Sequence, residues 1–219
     1  MRRVVCAAFV SLDGVMQAPG GPEEDPTGGF RFGGWTVPYW DEVMGAAMGE
    51  SFGKPFDLLL GRKTYEIFAA HWPYTDEEPA GLFNSITKYV ATSSEAPLAW
   101  ANSERLEGDV PAAVARLKQG DGPDLLTQGS SVLVQSLLEA GLVDEISLLV
   151  FPVLLGHGKT FFGDAAQPGE LSLVSSQTST TGVIIARYRP AGPVRTGSFQ
   201  LAEPSAAEQT RRDRMKQEG

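Results

Sequence analysis

Three short stretches of this 219-residue chain carry the residue types that hold phosphate groups. Gly61-Arg62-Lys63-Thr64 follows the apolar run "DLLL", Thr92-Ser93-Ser94 follows "KYVA", and Gln128-Gly129-Ser130-Ser131 follows "DLLT". Each offers backbone N–H groups beside a hydroxyl or a cation. In an open α/β sheet, ligands settle outside the carboxyl ends of the strands, where helix N-termini present unpaired donors and a partial positive charge. Taken singly, each stretch also reads as local structure, because Ser and Thr cap helices and Gly61 lets the chain turn. Taken together, three such tips suit a dinucleotide, whose phosphates and hydroxyls engage several ends at once. The G-x-G-x-x-G fingerprint is absent, and "GDG" at 120–122 precedes its strand, on the wrong side for a phosphate. A conventional Rossmann dehydrogenase is therefore not expected.

Hydride chemistry on such a cofactor needs an oriented substrate and, for many acceptors, a proton. Asp13 and Asp41 are the carboxylates placed to act as catalytic acids. Asp13 reads equally as an Asx turn before Gly14, and Asp41 as a helix N-cap. Ser11, Trp35 and Trp40 are candidate substrate contacts at the end of the first strand and the loop after it. The tryptophans either stack on a flat ring or seal the core. In "PVLLGHGKTFF" (152–162) the glycines flanking His157 mark a tight turn, with His157 a minor candidate for proton transfer and Lys159 for phosphate binding. Cys6 lies in an apolar run and reads as core, and with only His71 and His157 besides, a metal site is not expected.

The elements that must position these residues follow from patterning. Apolar, β-branched runs at 4–10, 57–60, 88–92, 124–127 and 145–151 alternate with helical segments near 39–52, 63–71, 110–119 and 131–140. The alternation predicts an α/β fold with a mainly parallel sheet and helices on both faces. After 151, strands at 171–179 and 182–190 follow without a helix between them, which predicts a closing antiparallel hairpin. The folded domain is expected over 1–190 and a polar tail over 191–219. Residues 16–38 hold Pro and Gly together with Phe30, Phe32 and Trp35, a composition for either a lid or a surface excursion. With 42% apolar residues the chain can bury a sizeable core, and a net charge of −9 with scattered cations argues against a nucleic-acid partner. No run approaches the roughly 20 apolar residues of a membrane span. The apolar start ends too early for a secretory signal, so the expected compartment is the cytoplasm.

The stretches "SLDGV", "GGWTVPYWDE", "LLLGRKTYEIFAAHWP", "KYVATSS", "TQGSSVLVQSLLEAGLVDEISLLVFPVLLGHGKTFF" and "TTGVIIARYRP" run in order across residues 3–190. As a set they resemble the dihydrofolate-reductase-like proteins, in particular the C-terminal reductase domain of the riboflavin-biosynthesis deaminase-reductase. The resemblance implies a three-layer fold with a mixed, mainly parallel sheet of about eight strands, a homodimer, and NADPH as hydride donor. It implies a small heterocyclic or sugar-linked substrate, as in reduction of 5-amino-6-(5-phosphoribosylamino)uracil. It assigns Gly61, Arg62, Lys63 and Thr64 to the cofactor's phosphates, Thr92, Ser93 and Ser94 to the adenosine 2′-phosphate, and Gly129, Ser130 and Ser131 to the pyrophosphate.

The chain departs from that pattern in three places. Gln128 stands where many relatives have glycine. Thr92-Ser93-Ser94 lacks the arginine often found there, which leaves NADPH against NADH open. Counted from Trp35, Trp40 occupies the place of the acid in dihydrofolate reductases, and Asp41, one residue later, is rotated by about 100° around a helix. A pterin reductase and a non-catalytic nucleotide-sensing dimer remain alternatives. A fused deaminase is not expected, since the chain has no zinc-deaminase Cys/His pattern.

Overall fold

The computed structural model describes residues 1–163 and 167–218. Its sheet has eight strands: β1 (Val4–Ser11), β2 (Phe56–Gly61), β3 (Lys88–Ala91), β4 (Ser103–Arg105), β5 (Asp124–Gln128), β6 (Glu145–Phe151), β7 (Glu170–Thr178) and β8 (Ile184–Gly192). They lie in the order β4-β3-β2-β5-β1-β6-β8-β7. The first six strands in chain order pair in parallel, while β8 pairs antiparallel with β6 and β7. Every residue of β2 is buried, as a strand covered on both faces requires. This is the α/β, three-layer, dihydrofolate-reductase-like architecture that the sequence predicts.

Helices cover both faces: α1 (Glu42–Phe52), α2 (Arg62–Ala69), α3 (Ala80–Ser85), α4 (Val110–Gln119), α5 (Ser131–Glu139) and, in the tail, α6 (Ala206–Glu218). Strand alternation sorts the core. Val4, Cys6, Ala8 and Val10 of β1 face Val114 of α4 and Val134 and Leu137 of α5. On the opposite face, Leu58 and Leu60 of β2 pack with Tyr65 of α2 and Phe83 of α3, and Leu149 and Phe151 of β6 pack with Met44 and Ala47 of α1.

Two elements went unpredicted. The strand β4 is three residues long and polar, and α3 is six residues long with no side-chain cap at Pro79. Both gain their order from tertiary packing. At the carboxyl end of α3 the ammonium of Lys88, wholly buried, donates to the carbonyls of Phe83 and Ile86 at 2.8 Å and of Asn84 at 3.2 Å, and sits 4.4 Å from the Trp100 ring centre. It thereby satisfies carbonyls that a helix end leaves unpaired. Burial pushes its pKa down to about 8. At the amino-terminal edge of the sheet, buried Arg2 is ion-paired to Asp57 and donates to the Pro123 carbonyl at 2.6 Å. Ordered structure continues past the expected limit at 190, since β8 runs to Gly192 and Arg195 pairs with Glu170 at 2.8 Å. Beyond it, α6 buries no residue.

The loop 16–38 is pinned from within. Trp35 Nε1 donates to the Gln17 carbonyl at 2.8 Å, and its ring meets Phe151 edge-on at 5.2 Å. Gln17 Nε2 donates to the carbonyls of Asp25 and Thr27 at 2.9 Å while its Oε1 accepts from Lys159 N at 3.0 Å, and the Lys159 ammonium is ion-paired to Asp25. A long Gly- and Pro-bearing segment is thus held over the end of β1 by polar clamps around one buried indole.

Candidate active site

The carboxyl ends of β2, β3 and β5 open on one cavity of about 1680 Å³. Its wall includes Gly61, Arg62, Lys63 and Thr64, then Thr92 and Ser93, then Gln128, Gly129, Ser130 and Ser131. So the three predicted stretches do converge, with only Ser94 outside the wall.

Two helix starts meet there. Gly61 precedes α2 and Ser130 precedes α5, and neither helix has a side-chain cap. Their first backbone N–H groups are therefore free of a protein cap, and the helix dipoles point their positive ends into the cavity. The approach is close: a Cβ on Gly61 would lie 1.8 Å from Ser130 Oγ and 2.9 Å from Ser130 Cβ. Only glycine allows it. The turn before α5 carries two left-handed residues in succession, Gly129 at φ 103° and Ser130 at φ 70°. Ser130 is strained there, as a non-glycine residue in that region costs roughly 1–2 kcal/mol. The hydroxyl of Thr127 holds the turn by donating to the Gly129 carbonyl at 2.7 Å. Around this point Arg62 is exposed and bonded to Glu66 at 2.8 Å, and Lys63 is exposed.

At the third tip the hydroxyls have local work. Thr92 Oγ1 accepts from Ser94 N at 3.0 Å and Ser94 Oγ accepts from Ala96 N at 3.2 Å. These are turn bonds of the kind Ser and Thr make with nearby backbone. Ser93 is exposed at the cavity wall.

The substrate-side expectations divide. Trp40 lines the cavity, 47% exposed, with its ring 6.0 Å from Phe9. Trp35 and Ser11 are buried away from the wall. Ser11 donates to Asp13 and accepts from Val15 N at 2.9 Å. Neither Asp13 nor Asp41 lines the cavity. Asp13 accepts from the Ser11 hydroxyl and from Gly156 N at 2.7 Å, and these bonds, the hydroxyl first, lower its pKa. Asp41 caps α1 by accepting from Met44 N at 2.9 Å, and its other oxygen accepts from Thr180 N and Oγ1, both at 2.7 Å. The Thr180 hydroxyl leads in lowering its pKa. A carboxylate held in its charged form by such bonds is a poor proton donor near neutrality. The geometry gives both aspartates structural work and leaves the catalytic expectation for them without support.

Other polar groups line the cavity, and of them only Lys159 was singled out from the sequence. Glu24 accepts from Gly20 N at 2.6 Å, and burial raises its pKa. Arg187 of β8, Ser147 of β6 and the Lys159–Asp25 pair also reach the wall. The alternation of β8 carried a signal for Arg187, since it shares a face with buried Ile185. His157 rests against Phe30 and Phe32, both 5.9 Å away, outside the wall. Among the described residues no three His, Cys, Asp or Glu side chains converge on a metal-sized space, and no helix is long and apolar enough to cross a membrane.

Comparison with known proteins agrees with this fold. The chain is 28% identical over 193 residues to the uncharacterized protein YyaP of Bacillus subtilis, covering 84% of this chain and 92% of that one. Its fold is similar to that of a candidate riboflavin biosynthesis protein from Shewanella sp. PV-4, with a TM-score of 0.60 and 20% identity, covering 86% and 99% of the two chains. It is similar also to dihydrofolate reductase from Enterococcus faecalis complexed with NADP(H), with a TM-score of 0.54 and 16% identity, covering 86% and 96%. The profile of one family matches residues 2–185, and on that match this chain belongs to the RibD C-terminal domain family.

Proposed function

We propose that the protein is an NADPH-dependent reductase of a C=N or C=O group on a small heterocyclic or sugar-linked substrate, in the manner of 5-amino-6-(5-phosphoribosylamino)uracil reductase. The observation that carries this reading is the meeting of two uncapped helix starts, at Gly61 and Ser130, in one cavity. Such a pair of N-termini is an anion site without any specialised side chain. The residues fit a dinucleotide: the amides after Gly61 and Ser130 for the pyrophosphate, Arg62 and Lys63 for added charge, and Ser93 with Thr92 for the adenosine end. The complex of the similar E. faecalis fold with NADP(H) supports the same choice. When bound, a dihydronicotinamide supplies the hydride.

The rest of the chemistry falls to this chain. Trp40 and Phe9 offer aromatic surface for a flat substrate, and the clamped loop 16–38 supplies the wall at Met16, Gln17, Glu24 and Asp25. Asp13 and Asp41 keep the substrate side in shape through the Gly156 and Thr180 contacts. Glu24 is the cavity-wall carboxyl whose pKa is raised, so it is better suited than either aspartate to hold a proton near neutrality. A homodimer belongs to the same reading. The outer strand β7 exposes Leu171, Leu173 and Val174 on a sheet edge, a feature that favours pairing with a second chain.

The test is to follow the absorbance of reduced nicotinamide while offering the ribosylaminopyrimidine phosphate, dihydrofolate and a set of aldehydes in turn. Oxidation with the first alone supports the assignment, and oxidation with dihydrofolate moves it to pterin reduction. Cofactor binding with no oxidation of any kind converts the protein to a nucleotide sensor.

A further inference from the structure

The tip after β3 offers hydroxyls and no cation of its own. Thr92, Ser93 and Ser94 are followed by an acid, Glu95, and Arg62 of the neighbouring helix is bonded to Glu66 at 2.8 Å. A phosphate monoester carries close to two negative charges near neutrality, and hydroxyls bond such a group without neutralising it. A positive charge for this tip therefore has to come from another element. The strand β4 carries one. It runs parallel to β3, with Arg105, its last residue, beside Val90. Residues paired this way project to one face of a sheet, and Val90 packs with Leu60, with Tyr65 of α2 and with Trp100. Arg105 thus lies on the α2 side of the sheet, at the carboxyl end of its strand.

There the guanidinium joins the tip. Arg105 Nη2 donates to the Ala96 carbonyl at 2.8 Å, Ala96 N donates to Ser94 Oγ at 3.2 Å, and Ser94 N donates to Thr92 Oγ1 at 3.0 Å. The same short turn places Ser93 on the cavity wall. Its continuation is tied to α2, where Trp100 N donates to the Tyr65 hydroxyl at 3.0 Å. Arg105 carries more charge than this local work uses. Its Nη1 is buried without a hydrogen-bond partner, and among the described residues no carboxylate forms an ion pair with it. The other arginines drawn out of water do have one: Arg2 is paired with Asp57 and Arg187 with Glu50. Holding one carbonyl takes a single neutral donor, so a half-buried, uncompensated guanidinium at this place asks for an anion.

We propose that Arg105 is the residue that selects NADPH over NADH, its uncompensated charge beneath the Thr92–Ala96 turn favouring the dinucleotide that brings a 2′-phosphate to Ser93. It acts through the turn, as a positioning residue that supplies charge, and touches none of the reacting atoms. The proposal rests on the dinucleotide reading and goes beyond it, because it assigns the choice between two cofactors to a residue outside all three strand tips. It also gives β4 a purpose: the strand is three residues long and polar, and both of the buried side-chain atoms left without a partner among the described residues, Ser103 Oγ and Arg105 Nη1, belong to it.

Two pairs of probes differ only by the 2′-phosphate: NADPH against NADH, and adenosine 2′,5′-bisphosphate against adenosine 5′-monophosphate, each titrated by calorimetry. In the unaltered protein the 2′-phosphorylated member of each pair should bind at least about tenfold tighter, the order expected for a doubly charged group near a cation at the effective dielectric of a protein surface. Arg105→Gln keeps a donor for the Ala96 carbonyl and removes the charge, so it should bring each pair to within about twofold while leaving NADH affinity unchanged. Arg105→Lys should keep most of the preference. A residue that only shaped the turn would weaken both members of a pair alike, so the ratio is the readout. Urea unfolding checks that each variant is folded, and Arg105→Met, which keeps the aliphatic stem, replaces a glutamine variant that is not. Equal affinities in the unaltered protein, a preference that survives loss of the charge, or equal weakening of NADPH and NADH would each overturn the proposal. Turnover separates the two claims: a 2′-phosphate preference that depends on Arg105, with no oxidation of NADPH by any substrate, removes the reductase reading alone, and turnover with NADH bound and used as well as NADPH removes this proposal alone.

Discussion

Gly61→Ala is the sharpest perturbation of the cleft. The backbone at Gly61 is extended, φ −76° and ψ 159°, which any residue adopts, so the change adds no backbone strain. Its whole effect is steric. The new Cβ would fall 1.8 Å from Ser130 Oγ, which can rotate away, and 2.9 Å from Ser130 Cβ, which cannot. Ordinary contact begins at 3.4 Å, so the starts of α2 and α5 must part by about half an ångström (3.4 − 2.9 = 0.5). Overpacking of this kind costs about 1–3 kcal/mol of stability. Loss of one charge-assisted bond to a phosphate, about 1.5–3 kcal/mol, raises the Kd for NADPH roughly 10- to 100-fold. The assay is calorimetric titration of NADPH alongside urea unfolding. Adding Ser130→Gly removes both clashing atoms and places glycine in the left-handed turn, so the double variant should recover most of the lost affinity. If Gly61→Ala binds NADPH as the unaltered protein does, or if the second change rescues nothing, the contact between the two helix starts is not what shapes the site.

Asp41→Asn keeps an acceptor oxygen for the helix cap but sets an NH2 against Thr180 N, so it should lower the urea midpoint a little and preserve turnover of the folded protein, whereas Asp41→Ala should lower the midpoint further. Turnover abolished in an asparagine variant that is still folded at the assay temperature would restore Asp41 as the acid. Lys88 gives a pH signature: with its folded pKa near 8 against an ordinary 10.5, the unfolded chain holds more protons between those values. The contribution of Lys88 to stability should therefore rise with pH across that window, and urea unfolding at both ends should show the rise in the unaltered protein and not in Lys88→Met. A fall in the unaltered protein relative to Lys88→Met contradicts the sign. Asp57→Ala strands the buried Arg2 guanidinium and should cost about 3–5 kcal/mol, against which an unchanged unfolding midpoint would count.

The sequence made the framework legible because the framework rests on periodicity. Strands such as β2, buried along its whole length, and β6 are apolar runs whose ends lie within a residue or two of the pattern's limits. The convergence of the three strand tips on one cavity was legible because small and cationic residues after a strand have few other uses together. What escaped depended on contacts between distant parts of the chain. Nothing local in "SER" at 103–105 marks a strand, and α3 is held by the Lys88 ammonium, which its own residues do not announce. Asp41 reads in the sequence as acid or cap, and the bond it accepts from Thr180, far along the chain, shows only in the fold. Arg187 shares the face of buried Ile185 by alternation, but sequence shows which residues share a face and not whether that face meets solvent or a cleft.

The central claim is that separate strand tips hold one reduced nicotinamide dinucleotide, and hydrogen exchange read by mass spectrometry tests it directly. The free backbone amides after Gly61 and after Ser130 should both slow on saturation with NADPH, the segments 62–64 and 131–133 together. Protection at one segment without the other, or at neither while the cofactor is bound, would contradict it.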